Sequence, residues 1–130
     1  MAAELAALID TSVFVALEKG GTGIDLPARS AISVATLAEL RLGVLMASDP
    51  EEHRRRLRTL TSVGAAYEPL GITPEVADAF AEIVGEGRLR GRRPKAMDAW
   101  IAATAVTFGL PLYTRDCDFD GLYGVTVVKI

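Results

Sequence analysis

Four carboxylates occupy positions that packing alone does not explain: Asp10, Glu39, Asp98 and Asp116. Asp10 closes the apolar run Leu5-Ala6-Ala7-Leu8-Ile9. Glu39 lies in Ala35-Thr36-Leu37-Ala38-Glu39-Leu40-Arg41-Leu42-Gly43-Val44-Leu45, a segment apolar on nearly every side. Asp98 shares a helical face with Ile101, Ala102 and Ala105, and Asp116 follows Leu110-Pro111-Leu112-Tyr113-Thr114. Burying even one unpaired carboxylate costs several kcal/mol, so four require compensation. A shared cation is the usual compensation, and a site made only of oxygen donors suits magnesium or manganese. This set reads as the centre of a metal-dependent enzyme.

Each acid has a plainer alternative. Asp10 is equally well placed to cap a first helix, a role worth ~1 kcal/mol. Asp116 suits a tight turn in Thr114-Arg115-Asp116-Cys117-Asp118. Glu39 has no capping role in mid-helix, and Arg41 is a poor partner because residues two apart on a helix do not face each other. Asp98 lies too deep to cap if Pro94 starts its helix. Glu39 and Asp98 therefore carry most of the inference.

The elements that must position these acids alternate short apolar runs with helical stretches, the pattern of an α/β fold with a largely parallel sheet. Strands are expected at Leu5 to Ile9, Ala31 to Val34, Tyr67 to Leu70, Leu112 to Thr114 and Val125 to Ile130. Asp10-Thr11-Ser12 opens a helix to about Lys19, where Gly20-Gly21-Thr22-Gly23 stops it. A second helix carries Glu39. Asp49-Pro50-Glu51-Glu52 caps an Arg-rich helix ending near Gly64, and Thr73-Pro74-Glu75 caps another bearing Val76, Phe80, Ile83 and Val84. Gly85 to Arg93 is rich in glycine and charge and reads as a mobile loop, with Pro94 starting a long apolar helix to Phe108. Functional groups of parallel α/β sheets gather at the carboxyl ends of strands, so all four acids can face one sheet edge.

At 130 residues, with no repeat or linker, the chain is expected to form one domain over 1–130. A single cysteine, Cys117, excludes an internal disulfide framework and fits a reducing compartment. Met-Ala-Ala-Glu leads into an apolar run too short for a membrane span and without a basic leader, so a cytoplasmic location is the expectation. The net charge of −3 argues against a polyanionic partner, but nine of the fourteen Lys and Arg residues fall in two clusters. These are Arg54, Arg55, Arg56 and Arg58, and Arg88, Arg90, Arg92, Arg93 and Lys95. Charge acts locally, within a Debye length of about 10 Å, so such clusters matter more than the total. Taken singly, each reads as a solvated surface.

Leu-Ile-Asp10-Thr11-Ser12, Ala38-Glu39-Leu40, Asp98-Ala-Trp-Ile-Ala-Ala and Thr114-Arg115-Asp116 with Asp118-Phe119, in that order, resemble the PIN-domain ribonucleases. The likeness is greatest to VapC-type toxins of bacterial toxin–antitoxin pairs, and it spans essentially the whole chain. It implies a single PIN-like α/β domain with four to five mostly parallel strands flanked by helices. It also implies a catalytic pocket of Asp10, Glu39, Asp98 and Asp116, with Asp10, Asp98 and Asp116 on Mg2+, or Mn2+ in its place. Thr11, Ser12, Thr114 and Asp118 would support them; separately, Arg88, Arg90, Arg92, Arg93 and Lys95 are expected to bind RNA because their stretch leads directly into the helix bearing Asp98. Many relatives have Asn where Asp116 stands. The implied reaction is cleavage of an RNA phosphodiester by metal-activated water, and the implied partners are an antitoxin and a second copy of the toxin, with no membrane. Against this stand a haloacid-dehalogenase phosphatase, which needs an acid where Ser12 stands, and a receiver domain, which needs a central phosphoacceptor Asp. The remaining rival is a catalytically idle module of the same fold that acts by binding a partner. His53 reads as a surface residue, Trp100 as core packing, and Cys117 as no nucleophile, since no histidine base accompanies it.

Overall fold

Leu8 faces one side of a sheet while Ala7 and Ile9 face the other, and all three are fully buried. A first strand covered on both faces forces a layer of helices on each side. The computed structural model describes residues 4–130 and has this architecture. Residues 1–3, part of the Met-Ala-Ala-Glu stretch read above, lie outside the described residues.

In chain order the elements are β1 (Ala7–Ile9), α1 (Thr11–Glu18), β2 (Ser30–Ser33), α2 (Val34–Leu45), α3 (Pro50–Ala66), β3 (Glu68–Leu70), α4 (Pro74–Leu89), α5 (Ala96–Thr107), β4 (Leu112–Thr114) and β5 (Val127–Lys129). The five strands are all parallel, in the order β3-β2-β1-β4-β5. The chain winds outward from β1 in one direction and then crosses to β4 and β5 in the other. The strand order thus reverses between β1 and β4, and a crevice at the carboxyl ends of the strands follows from that reversal.

One face of the sheet packs Leu8, Ala31, Leu70 and Leu112 against α4 and α5. The other packs Ala7, Ile9 and Ile32 against Val13 and Phe14 of α1, Leu40 of α2 and Val63 of α3. In α5, Ala99, Ile101, Ala102, Ala103, Thr104 and Ala105 are all buried, so the helix is enclosed nearly all round. Its alanines let neighbouring elements approach closely. Trp100 stacks on Phe80 of α4 with ring centroids 3.9 Å apart, the packing role expected of it. His53 is exposed.

Helix starts follow the side chains written at them. Asp10, Ser33, Asp49 and Thr73 each accept a backbone N–H of the first turn that follows. The stretch Gly85–Arg93 differs from the expected loop. Helix α4 continues through Gly85 and Gly87 to Leu89, because burial of Ile83 and Gly87 outweighs the weak helix propensity of glycine. Gly87 sits tightly against the next turn: an added Cβ would lie 3.2 Å from Cδ of Pro94. The turn that remains is short, with Gly91 at φ 74°. Helix α5 correspondingly begins at Ala96 rather than Pro94, with Lys95 at its N-cap and no side-chain cap. Asp98 therefore sits in the first turn, where the helix dipole favours a negative charge.

Candidate active site

Asp10 follows β1 and Thr114 ends β4, so the two residues flank the crevice at the point of reversal. Asp10 is only 2% exposed. Its Oδ2 accepts Ser12 Oγ–H at 2.6 Å, Thr114 Oγ1–H at 2.9 Å and Ser12 N–H at 3.3 Å. Each hydroxyl has one hydrogen and commits it to Asp10. Both hydroxyl oxygens are then free to accept: Ser12 Oγ takes Arg115 N–H at 3.0 Å, and Thr114 Oγ1 takes Asp116 N–H at 3.0 Å. This ring ties the first turn of α1 to the segment after β4. Asp10 is thus both helix cap and cavity wall.

On the α2 side, Thr11 Oγ1 donates to Glu39 Oε1 at 2.7 Å and lies 3.1 Å from Thr36 Oγ1. Thr36 is fully buried. It stands one turn before Glu39 on the same helix face, and this spacing was the available signal for its role beside Glu39. Asp98 enters from the start of α5. A cavity of about 460 Å³ is lined by Asp10, Glu39, Asp98 and Asp116 together with Thr11, Ser12, Val15, Ala16, Lys19 and Arg115. A larger cavity of about 570 Å³ between α1 and α3 is mainly apolar, with Phe14, Leu17, Val63 and Tyr67 among its walls. Chemistry requires the smaller one, where the acids converge.

Burial pushes the Asp98 carboxyl up to about 6, and the charges of Asp118, Asp10 and Glu39 push the same way against the opposing pull of Lys95. Glu39 is raised by burial and by Asp10 and Asp116, against the Thr11 hydrogen bond and Lys95. Asp116 is raised by burial and by Asp10 and Asp118, against Lys95 and Lys129. The shared first cause is burial, and the mutual repulsion of the acids adds to it.

A divalent cation fits this deficit, and the carboxylates and hydroxyls in the cavity walls are the oxygen donors that suit magnesium or manganese. No group of three acidic, His or Cys side chains among the described residues converges tightly enough to close a cage by protein alone. That spacing leaves room for waters between a hard cation and some of the carboxylates.

The other expected residues are dispersed. Asp118 is exposed, does not line the cavity, and lies 3.9 Å from Lys95. Arg90 and Arg92 line a separate cleft with Glu86, Gly121 and Tyr123, and the Arg92 guanidinium donates to the Asp120 carbonyl at 2.8 Å. Of that basic cluster, Lys95 is the member whose charge acts on Glu39, Asp98 and Asp116. In the other cluster, Arg55 faces Glu18 at 3.7 Å and Arg56 pairs with Glu52. Cys117 is exposed, with its sulfur 3.1 Å from Lys129 Nζ. Sequence reasoning did not single out Lys19 or Arg115, both of which line the acidic cavity.

A parallel sheet with four acids converging on one cavity at its point of reversal defines an α/β domain with an acidic pocket. The PIN domain family matches residues 7–125. Ribonuclease VapC4 of Mycobacterium tuberculosis is 45% identical over 129 residues, covering 95% of this chain and 96% of that protein. Ribonuclease VapC5 of the same species is 42% identical over 127 residues, covering 96% and 93%. The crystal structure of VapBC-5 from M. tuberculosis, a member of the VapBC family of toxin–antitoxin systems, superposes with a TM-score of 0.84 at 37% identity, covering 96% of this chain and 98% of that one. The chain belongs to the PIN-domain family, in its VapC-type branch.

Proposed function

We propose that the chain is an endoribonuclease that depends on magnesium or manganese and acts as the toxin of a toxin–antitoxin pair. The observation that carries this reading is the convergence of Asp10, Glu39, Asp98 and Asp116, from opposite ends of the chain, on one cavity. The kinship with VapC4 and VapC5, both named ribonucleases, supports RNA as substrate.

In this reading Asp10, Asp98 and Asp116 hold the cation. When bound, it lowers the pKa of a water, orients that water in line, and neutralises charge growing on the phosphate oxygens. Ser12 and Thr114 fix Asp10 by donating to its Oδ2. Thr11 occupies Oε1 of Glu39 and so turns the remaining oxygen to its task. Glu39 accepts the proton of the attacking water, a role suited to a carboxyl titrating above its ordinary range.

The partner proposed is a small antitoxin protein, together with a second toxin copy, in a hetero-oligomer. The toxin–antitoxin family of the VapBC-5 structure supports the antitoxin. Leu42 and Leu45 of α2 and Met46 at its C-cap, exposed at 55%, 64% and 70%, offer apolar surface to such partners. Among the described residues no helix is long and apolar enough to cross a membrane.

The test is cleavage of total cellular RNA by the purified chain, with magnesium, with manganese and with excess chelator. Cut RNA with either metal and intact RNA with chelator are expected. Full cleavage in chelator overturns the mechanism, and intact RNA under every condition, from a chain that still binds its antitoxin, supports the idle module instead.

A further inference from the structure

We propose that Lys19 and Arg115 form a phosphate clamp on the RNA strand, Arg115 beside the carboxylates and Lys19 at the far end of the same cavity. The inference rests on the ribonuclease reading and identifies residues that hold the substrate. A cavity walled by four carboxylates repels a polyanion, and the chain as a whole carries −3. A bound cation offsets part of that repulsion at the scissile phosphate. Nucleotides to either side of it still require positive charge at the rim.

Lys19 and Arg115 are the two basic residues among the cavity's walls, and both are exposed. Among the described residues, neither forms an ion pair. The cations in pairs are Arg55, Arg56, Lys95 and Lys129, and Arg92 is committed to a carbonyl. An unpaired cation beside four carboxylates, yet out of pairing range of each, is available to a ligand anion.

Both residues are held by the backbone. Arg115 N–H donates to Ser12 Oγ, which places Arg115 at the N-terminal end of α1 next to Asp116. Ser12, Val15, Ala16 and Lys19 all line the cavity. Their spacing is that of one helix face, so Lys19 ends a stripe that starts at the acids. From Ser12 to Lys19 the helix axis rises roughly 10 Å, enough to separate the two cations along a strand. Two glycines fix where the stripe ends. Gly20 turns the chain at φ 85°, and an added Cβ on Gly21 would lie 2.7 Å from the Ala16 carbonyl oxygen. Arg90 and Arg92, on the separate cleft, lack this relation to the acids.

The test uses the full chain with Asp98→Asn, which stops cutting, and a fluorescein-labelled single-stranded RNA, with affinity read by anisotropy over a series of KCl concentrations in magnesium. Lys19→Ala and Arg115→Ala are each expected to flatten the slope of log affinity against log salt by about 0.7. The double variant should lose about twice that, while Lys19→Arg and Arg115→Lys keep the parental slope. With Asp98 restored, Lys19→Ala should raise KM for RNA more than it lowers kcat. A double variant with the parental slope overturns the clamp, as does an affinity loss that is the same at every salt concentration. If the unsubstituted chain cuts RNA while the double variant keeps the parental slope, the clamp alone fails. If the unsubstituted chain neither binds nor cuts RNA, the ribonuclease reading fails with it.

Discussion

Asp98 is the acid whose environment costs it most, and its titration gives the sharpest residue-scale prediction. Its folded value of about 6 lies above the ordinary 3.8, so between those values the folded chain binds more protons than the unfolded one. Stability then falls as pH rises. The contribution is complete below 3.8 and is lost as pH passes 6. Glu39 and Asp116 are raised and act in the same direction. In metal-free buffer the melting temperature should therefore drop from mildly acidic to neutral pH. Asp98→Asn should flatten that drop and abolish RNA cleavage with the fold intact, both measured on one preparation by thermal melting and gel assay. A variant that unfolds at every pH would instead assign Asp98 a structural pairing. Thr114 is the complementary case, because its one hydroxyl both donates to Asp10 and accepts from Asp116 N–H. Thr114→Val is isosteric and leaves both groups short of a partner, so about 1–3 kcal/mol of stability should be lost. Cleavage should fall along with it, and denaturant melts beside initial rates measure the two.

At the scale of elements, the turn between α4 and α5 sets where Asp98 enters the cavity. Arg92 braces that turn through its bond to the Asp120 carbonyl, so Arg92→Ala should loosen it and cost roughly 1 kcal/mol. Hydrogen exchange should then speed up locally at the start of α5. Arg90→Ala and Arg93→Ala lack that brace and should change stability little. If those two also flatten the salt dependence of RNA binding, the basic cluster contributes to the RNA path as its position before the Asp98 helix implies. The stacked pair Phe80 and Trp100 joins α4 to α5 more strongly. Trp100→Ala, which removes a half-buried ring from the seam between the two helices, should cost about 2–4 kcal/mol. Its thermal unfolding midpoint, compared with that of the parent chain, measures this.

For the whole molecule, the cation is predicted to act as a stabilising ligand as well as a catalyst. Three of its proposed walls are carboxyls held above their ordinary range by burial and by mutual repulsion. Magnesium should raise the melting temperature with the logarithm of its concentration once the site saturates. Protons compete for the same oxygens, so this gain should shrink as pH falls below about 6, the value of Asp98. A melting temperature indifferent to magnesium at neutral pH would remove the metal from the site.

The sequence by itself determined the alternation of strands and helices, most helix starts and which four acids stand out. Alternating runs, cap residues such as Asp10 and Asp49, and the isolation of Glu39 among leucines are local signals, and each was legible because the physics behind it spans only a few residues. Strand ends were less legible: Val125–Ile130 narrows to Val127–Lys129 because pairing with β4 sets the length. The fate of Gly85–Arg93 was not legible at all. Three glycines and a run of arginines read locally as a loop, yet burial of Gly87 against Pro94 keeps α4 intact. Only the tertiary structure could separate Arg92, bonded to Asp120, from Lys95, whose field reaches the acids. The same holds for Lys19 and Arg115, 96 positions apart in the chain and brought to one cavity because β1 and β4 are neighbours across the reversal of the sheet. Which charges share a cavity is a property of strand order, and strand order is decided by long-range packing that no single segment encodes.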